Sequence, residues 1–421
     1  MKVAIVNGTD SGGGAGIAGW NLHQGLLEAG VDSRLIVDNP TRSEDEHVYT
    51  LARRVTFAGR ALNKASWKLG LTGLSTFHSY SLFDHPQIAD AEVINLHLIG
   101  GEHFNYLAVA KLAKKKKVVL TLHDMWNFTG HCVYSFDCMR WKTGCGECPY
   151  PETFPAIQRD GTAWEWKLKR WAFNRPNVSV VAISTWIETL LKQSLLKCLP
   201  VVRIPNGIDL THYYPFERQK AQETHSIPAG RVVILFVAAD MSDGRKGGDL
   251  LVDAINGLPK AERANLLLLV AGRPDRNLLE KASFSYKTLG FLNTDEEKRS
   301  AFNAADLTAV PSRIDNLPVV IQESIACGTP VLANDVGGIK DLIIEDETGY
   351  LSSDVTAESF RNALVRSLQN IGVSMRENCH TYARRNFSMN LQGERYSNYF
   401  SILSGQTCSA LPPSCSADCK H

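Results

Sequence analysis

The sequence has no uninterrupted apolar run of ~18 residues, the length a helix needs to cross a lipid core, so no transmembrane helix is expected. It also lacks net charge: Lys+Arg 45 against Asp+Glu 44 leaves +1. Nothing electrostatic then points to nucleic acid as a partner. The opening Met1-Lys2-Val3-Ala4-Ile5-Val6-Asn7 turns polar too soon for a secretory leader, and a cytoplasmic chain is expected. Extended disorder is excluded as well, because 44% hydrophobic residues suffice to offset the entropy of ordering.

What is present is an alternation of strand and helix signals. At 421 residues the chain is long for one core, and two domains are expected. Val3 to Asn7, Arg34 to Val37, Val93 to His97, Val118 to His123 and Val178 to Ile183 are short, apolar and rich in β-branched residues. That is the pattern of parallel strands covered on both faces. Helices are expected from Gly16 to Ala29 and from Leu107 to Lys116. The second half repeats the scheme, with strands at Val232 to Ala238, Leu266 to Ala271, Leu307 to Val310 and Pro330 to Ala333. Helices are read at Asp249 to Ile255 and Val319 to Cys327. Between the halves, Pro205-Asn206-Gly207 marks a turn. The fold class expected is α/β, with two Rossmann-like, doubly wound parallel-sheet domains facing a central cleft where the strand C-termini meet. The boundaries expected are 1–204 and 205–375, a helical segment 376–405 packing back toward the N-terminal domain, and a Ser, Pro and Cys tail over 406–421 without order.

Several residue groups carry chemistry. Gly12-Gly13-Gly14-Ala15-Gly16 lies between a strand and a helix, where glycine lets the backbone approach an anion and the helix start supplies N–H groups. Gly14, Gly16 and Gly19 also satisfy G-x-G-x-x-G, and Asp38 stands about where a ribose-binding acid would. An NAD-dependent oxidoreductase is therefore a rival reading. His97 and His123 each close a strand on the side of that turn. In the second half, Gly244-Arg245-Lys246-Gly247 places two cations at a helix start. Arg can fork onto two oxygens of a diphosphate while Lys supplies a point charge. Asp315-Asn316-Leu317-Pro318 then leads to Glu323, with Pro318 at a helix start. The two carboxylates stand about two helical turns apart, so they can straddle one ligand but cannot share a proton.

The succession of Arg245-Lys246-Gly247, Asp315 to Glu323 and Ala326-Cys327-Gly328-Thr329-Pro330 resembles the family 4 retaining glycosyltransferases of GT-B fold. Pro205-Asn206-Gly207-Ile208-Asp209 is similar to that family's interdomain segment, and Asp335-Val336-Gly337-Gly338 to its later glycine loop. The segments His123-Asp124-Met125-Trp126-Asn127-Phe128-Thr129-Gly130 and Trp141 to Cys145 resemble the colanic-acid and related exopolysaccharide enzymes within it. The chain departs from the pattern at Asp315, where the family has Glu, and in having its Arg directly before Lys246.

The resemblance implies transfer of a sugar from a UDP- or GDP-linked donor to a glycan or polyprenyl-diphosphate-linked acceptor. It places Glu323 on the ribose and Lys246 and Arg245 on the leaving diphosphate, with Gly13 and Gly14 on the same phosphates. Asp315, Asn316, Leu317 and Pro318 would hold the sugar, with His123 lining it. Retention would follow front-face displacement, in which the leaving phosphate oxygen helps to deprotonate the acceptor. No Asp-x-Asp occurs anywhere, so no metal is expected in the chemistry. A sugar-nucleotide-binding protein without turnover is a further alternative.

Two features stand apart. Cys132, Cys138, Cys145 and Cys148 form C-x5-C-x6-C-x2-C, which could hold a structural zinc; in a reducing compartment, thiols or metal ligation are otherwise expected over disulfides. Arg53, Arg54, Arg60, Lys64 and Lys68 interleave with Phe57, Leu62, Trp67 and Leu69, and Lys114 to Lys117 add a second cationic cluster. Peripheral contact with an anionic inner membrane face follows as an expectation.

Overall fold

The computed structural model describes residues 1–38, 40–51, 61, 64–66, 68–74, 77–97 and 104–405. The chain divides into two compact units. One comprises Met1–Gly207 with the helix Met389–Leu403, and the other is Ile208–Ser388.

In the first unit the described strands are β1 (Lys2–Asn7), β2 (Asp32–Val37), β3 (Val48–Thr50), β4 (Val93–Leu96), β5 (Lys117–Leu122), β6 (Val178–Ala182) and β7 (Val201–Arg203). They form one parallel sheet in the order β3-β2-β1-β4-β5-β6-β7. Strand alternation sorts their side chains onto two faces. Val3, Ile5, Val93, Val119 and Val181 face a core shared with Leu22 and Leu26. Ala4, Val6, Ile94, Leu96, Val118 and Leu120 face the other, under Phe104, Tyr106 and Phe173. Each fully buried Leu or Val contributes about 1.5–3 kcal/mol.

The helix Gly13–Glu28 lies against Met389–Leu403, and two glycines permit the approach. A Cβ on Gly25 would stand 2.3 Å from the Met389 carbonyl oxygen, and one on Gly393 would stand 2.1 Å from that of Gly25. Tyr396, Tyr399 and Phe400 then complete the first face of the core.

The second unit carries β8 (Val232–Asp240), β9 (Leu266–Arg273), β10 (Ser285–Gly290), β11 (Leu307–Val310), β12 (Val331–Asn334) and β13 (Gly349–Ser352). Their order, β10-β9-β8-β11-β12-β13, repeats the doubly wound pattern, again all parallel. In each unit the strand order reverses once, between β1 and β4 and between β8 and β11. Loops leaving the carboxyl ends there diverge and open a crevice.

The helical segment expected over 376–405 is divided between the units. Helix Val373–Asn386 buries Met375, Cys379 and Ala383, and packs on Val319–Ala326 in the second unit. His380 Nδ1 lies 2.8 Å from the Ala326 carbonyl oxygen. The Ile208 amide donates to the Phe387 carbonyl at 2.7 Å, tying the start of that unit to its end. The break therefore falls after Ser388 instead of at 375, and the earlier break after Gly207 instead of 204. Arg53, Arg54, Phe57, Arg60, Leu62, Trp67 and the segment 406–421 lie outside the described residues. Cys132, Cys138, Cys145, Cys148, Cys327 and Cys379 are free thiols, as expected. Cys198 departs from that expectation, being disulfide-bonded.

Candidate functional site

The switch point of the second unit gathers charge. After β8 the chain turns through Asp243, whose Oδ1 accepts the Arg245 amide at 2.9 Å and caps a single 3-10 turn, Gly244–Lys246. Gly247 follows at φ 70°, and a Cβ there would stand 2.1 Å from the Pro311 carbonyl oxygen. Only glycine lets the chain pass this close to the loop leaving β11. That passage aims two cations at Asp315. Lys246 Nζ donates to Asp315 Oδ2 at 2.7 Å, and Arg245 Nη1 reaches the same oxygen at 3.2 Å. Asp315 is 7% exposed while the two cations remain half-buried. Burial alone would raise its pKa, but the charges of Lys246 and Arg245 outweigh this and hold the carboxyl below the usual range.

Asp315 is fixed from behind. Its Oδ1 accepts the Asn316 amide at 3.0 Å, and its carbonyl accepts the Gly338 amide at 3.2 Å. Gly337, at φ 60°, passes so close that a Cβ would lie 1.8 Å from the Asp315 carbonyl oxygen. Arg313 ties the two loops together, forking onto Asp249 at 2.8 and 2.7 Å and donating to the Gly244 carbonyl at 2.7 Å. Asn316, Leu317 and Pro318 are buried, and Pro318 caps helix Val319–Ala326.

Glu323 sits just over one turn into that helix, 6% exposed, in a separate polar cluster. Tyr213 Oη lies 3.0 Å from Glu323 Oε1 and 2.8 Å from Asp295 Oδ1, while Lys298 Nζ is 3.8 Å from Glu323 Oε1. One hydroxyl proton cannot serve two ionised carboxylates. Burial raises the Glu323 pKa and nearby Asp295 adds to this, against the opposing pull of Lys298 and Tyr213. The sequence did not single out Tyr213, Asp295 or Lys298.

In the first unit, Gly12 caps helix Gly13–Glu28 at φ 71° and Gly13 follows at φ 67°, with open space where either Cβ would be. Gly12, Gly13 and Gly14 are exposed, so the helix start faces solvent. Asp10 shapes the loop, accepting the Thr41 amide at 2.9 Å and the Arg42 amide at 2.9 Å. Asp38 is 5% exposed, about as buried as Glu323.

His97 and His123, one residue past β4 and β5, are bonded to each other, Nδ1 to Nε2 at 2.9 Å. Asn95 Nδ2 donates to the Val119 carbonyl and to Thr121 Oγ1, which leaves Asn95 Oδ1 as acceptor for His97 Nε2 at 2.8 Å. His97 Nδ1 is then an acceptor, and His123 Nε2 the donor to it. Burial lowers the pKa of both rings, carrying His123 down to about 4, so both are neutral near pH 7. The loop beyond His123 is pinned by Lys169, another residue the sequence did not mark. Its Nζ donates to the Trp126 and Thr129 carbonyls at 2.8 and 3.1 Å and stands 3.4 Å from the Trp126 ring centre.

Cys132, Cys138, Cys145 and Cys148 border one cavity in that loop, together with His131. Of the lysine cluster, Lys116 is committed to the Ala89 and Ala91 carbonyls and Lys117 to Asn177, while Lys114 and Lys115 are exposed.

Two family models match consecutive stretches of the chain. "Glycosyltransferase Family 4" matches residues 12–212, and "Glycosyl transferases group 1" matches residues 217–386. The Escherichia coli K12 chain named as the colanic acid biosynthesis glycosyl transferase WcaC is 25% identical over 355 residues, 79% of this chain and 82% of its own. A D-inositol 3-phosphate glycosyltransferase of Rhodococcus opacus is 35% identical over 175 residues, 38% of each chain. Among solved structures, sucrose-phosphate synthase from Thermosynechococcus elongatus aligns with a TM-score of 0.70 at 20% identity, covering 96% of this chain and 100% of that one. Anabaena HepE in complex with UDP and glucose gives 0.67 at 16%, with 95% and 99% covered. WaaG, a glycosyltransferase involved in lipopolysaccharide biosynthesis, gives 0.65 at 19%, with 96% and 100% covered.

Proposed function

This chain belongs to the group 1, family 4 glycosyltransferases of GT-B fold, and we propose that it is a retaining, metal-independent enzyme acting in surface-polysaccharide assembly. The donor is a UDP- or GDP-linked sugar, and the acceptor a glycan or a polyprenyl-diphosphate-linked glycan. HepE, a structural neighbour, is recorded with UDP and glucose, and WaaG is named for lipopolysaccharide biosynthesis.

The observation that carries this reading is the convergence of Lys246 and Arg245 on one oxygen of Asp315 at the switch point of the second unit. A diphosphate arriving there competes with Asp315 for both cations. Once transferred to the phosphates, those cations neutralise charge that grows as the leaving group departs, which is stabilisation specific to the transition state. Asp315, released from the ion pair, accepts hydrogen bonds from the sugar hydroxyls, with Asn316, Leu317 and Pro318 shaping its seat. Glu323 takes the ribose hydroxyls by exchanging its Tyr213 bond. In the first unit, Gly13 and Gly14 present an exposed helix start suited to an anion, and His123 is neutral. With two side-chain cations available, the chemistry needs no divalent ion.

Thermal unfolding with UDP-sugars, GDP-sugars and NAD tests the assignment. A donor at about 100 times its Kd raises stability by about 2.7 kcal/mol. A shift with NAD alone restores the dehydrogenase reading. Donor hydrolysis or transfer that survives brief EDTA treatment separates an enzyme from a binding protein. Activity lost to EDTA and restored only by Mg²⁺ or Mn²⁺ ends the metal-independent mechanism.

A further inference from the structure

About forty residues separate β5 from helix Thr162–Phe173, and among them only Trp126–Phe128 and Arg140–Lys142 form helical turns. A connection this long inside a compact unit needs something to hold it. Part of the hold is visible. Trp141 is buried at 1% exposure, and its carbonyl accepts the Trp166 indole N–H at 2.8 Å. The rest of the loop folds around thiols.

Cys132, Cys138, Cys145 and Cys148 are all free and half-buried, and they border one cavity. They are mutual electrostatic neighbours: Cys132 with Cys148, Cys145 with Cys132 and Cys138, and Cys148 with Cys138. The turn Gly144-Cys145-Gly146-Glu147-Cys148 runs through left-handed backbone at Cys145 (φ 56°), Gly146 (φ 93°) and Glu147 (φ 47°). From outside the turn, the Gly130 N–H donates to Cys145 and the Tyr150 N–H to Cys148. Amide donors favour thiolate over thiol, but burial is the larger effect and raises the Cys132, Cys145 and Cys148 thiols, Cys132 to about 11 and Cys145 to about 12. His131 Nε2 is 3.2 Å from Cys148 Sγ, and its Nδ1 is held by the Pro155 carbonyl at 3.0 Å. Nδ1 must be the donor to that carbonyl, so Nε2 accepts from the Cys148 thiol, a bond that ends when the thiol loses its proton. Cations also stand near. Lys169 feels Cys132 and Cys145, and Arg140 acts on Cys148.

We propose that Cys132, Cys138, Cys145 and Cys148 bind one structural zinc ion. Among the described residues no three histidine, cysteine or carboxylate side chains stand at mutual ligand spacing. Binding therefore draws the sulfurs inward, into the cavity they border, to about 2.3 Å from the ion. As each Zn–S bond forms, the S–H proton leaves to solvent, and no electron is transferred. The ion organises the loop that follows His123 and takes no part in sugar transfer.

The test is the metal content of the full-length chain, produced with zinc in the medium and measured by elemental mass spectrometry, with about one equivalent expected. Exchange of zinc for Co²⁺ should give the charge-transfer and d–d bands of a tetrahedral thiolate site. Cys145→Ser combined with Cys148→Ser should lower the zinc content to under about a tenth, whereas Lys246→Ala keeps it whole. Wild-type protein with under about a tenth of an equivalent and no cobalt spectrum overturns the proposal, even if the cysteine variant does not fold. Cobalt bands that persist in the double variant also overturn it. Because metal is counted directly, the result stands whether or not the chain transfers sugar.

Discussion

Lys246 holds its ammonium 2.7 Å from a carboxylate that Arg245 also reaches, so its removal leaves Asp315 with a remaining cation instead of an orphaned buried charge. Lys246→Ala is therefore expected to cost little folding stability. It should lower kcat/KM more than about tenfold, a loss above about 1.4 kcal/mol in the transition state. Steady-state kinetics beside a thermal melt check this, and a variant keeping most of its activity removes Lys246 from the phosphate clamp. At this scale the cations and both carboxylates were legible in the sequence, because each sits in a short stretch with a recognisable helix start. The partners of Glu323 were not. Tyr213, Asp295 and Lys298 lie far from it along the chain and come together only through tertiary packing. Lys169 was hidden for the same reason, since a lysine on an amphipathic helix reads as solvated until the fold buries it.

Strand ends and loops decide how firmly these side chains are held. His97 and His123, bonded across the ends of β4 and β5, both have folded pKa values below the ordinary 6.5, with His123 near 4. Unfolding frees the rings to take up protons. Their contribution to stability is thus complete above about pH 6.5 and is lost as the pH falls toward 4. Urea unfolding at pH 7 and pH 5 should show this decline, and His97→Gln with His123→Gln should make it shallower, leaving the part due to His23, whose buried ring is also held near 4. The glycine loop makes a second case. Gly337→Ala drives a Cβ onto the Asp315 carbonyl, 1.8 Å away, and adds left-handed strain of about 1–2 kcal/mol. It should weaken donor binding as well as stability. Gly230→Ala has the same left-handed strain, at φ 77°, with open space around it, and should change stability by the strain alone. Calorimetric titration with donor distinguishes the two. Central strands such as β5 and β11 were readable from their apolar runs. The edge strands β10 and β13 were not, because Ser285–Gly290 and Gly349–Ser352 carry polar and glycine residues that also suit turns.

Among the described residues, no helix is long and apolar enough to cross a membrane. The expected amphipathic stretch lies mostly outside the described residues, and two of the four clustered lysines are engaged by the protein itself. A different face suits a bilayer better. Helix Thr162–Phe173 exposes Trp164 (68%) and Trp171 (56%) beside Lys167 and Arg170, the aromatic and basic mixture that settles at a headgroup layer. Co-sedimentation with anionic vesicles at low salt, reduced at high salt and by Trp164→Ala with Trp171→Ala, is the expected result. Protein left in the supernatant at low salt rejects membrane contact through this face.

The helix Met389–Leu403 belongs to the first unit although the whole second unit precedes it in the chain. That makes the first unit a discontinuous domain with the second inserted into it. A ribosome finishes residues 208–388, a contiguous and topologically complete sheet, before it supplies Tyr396, Tyr399 and Phe400 to the core laid down at the start of synthesis. The second unit can therefore fold first. The first must wait with one face of its sheet uncovered until nearly the last helix emerges. A chain stopped at Ser388 would display Leu22, Leu26 and their neighbours to solvent as a sticky surface, and its fate would be aggregation or proteolysis in place of partial activity.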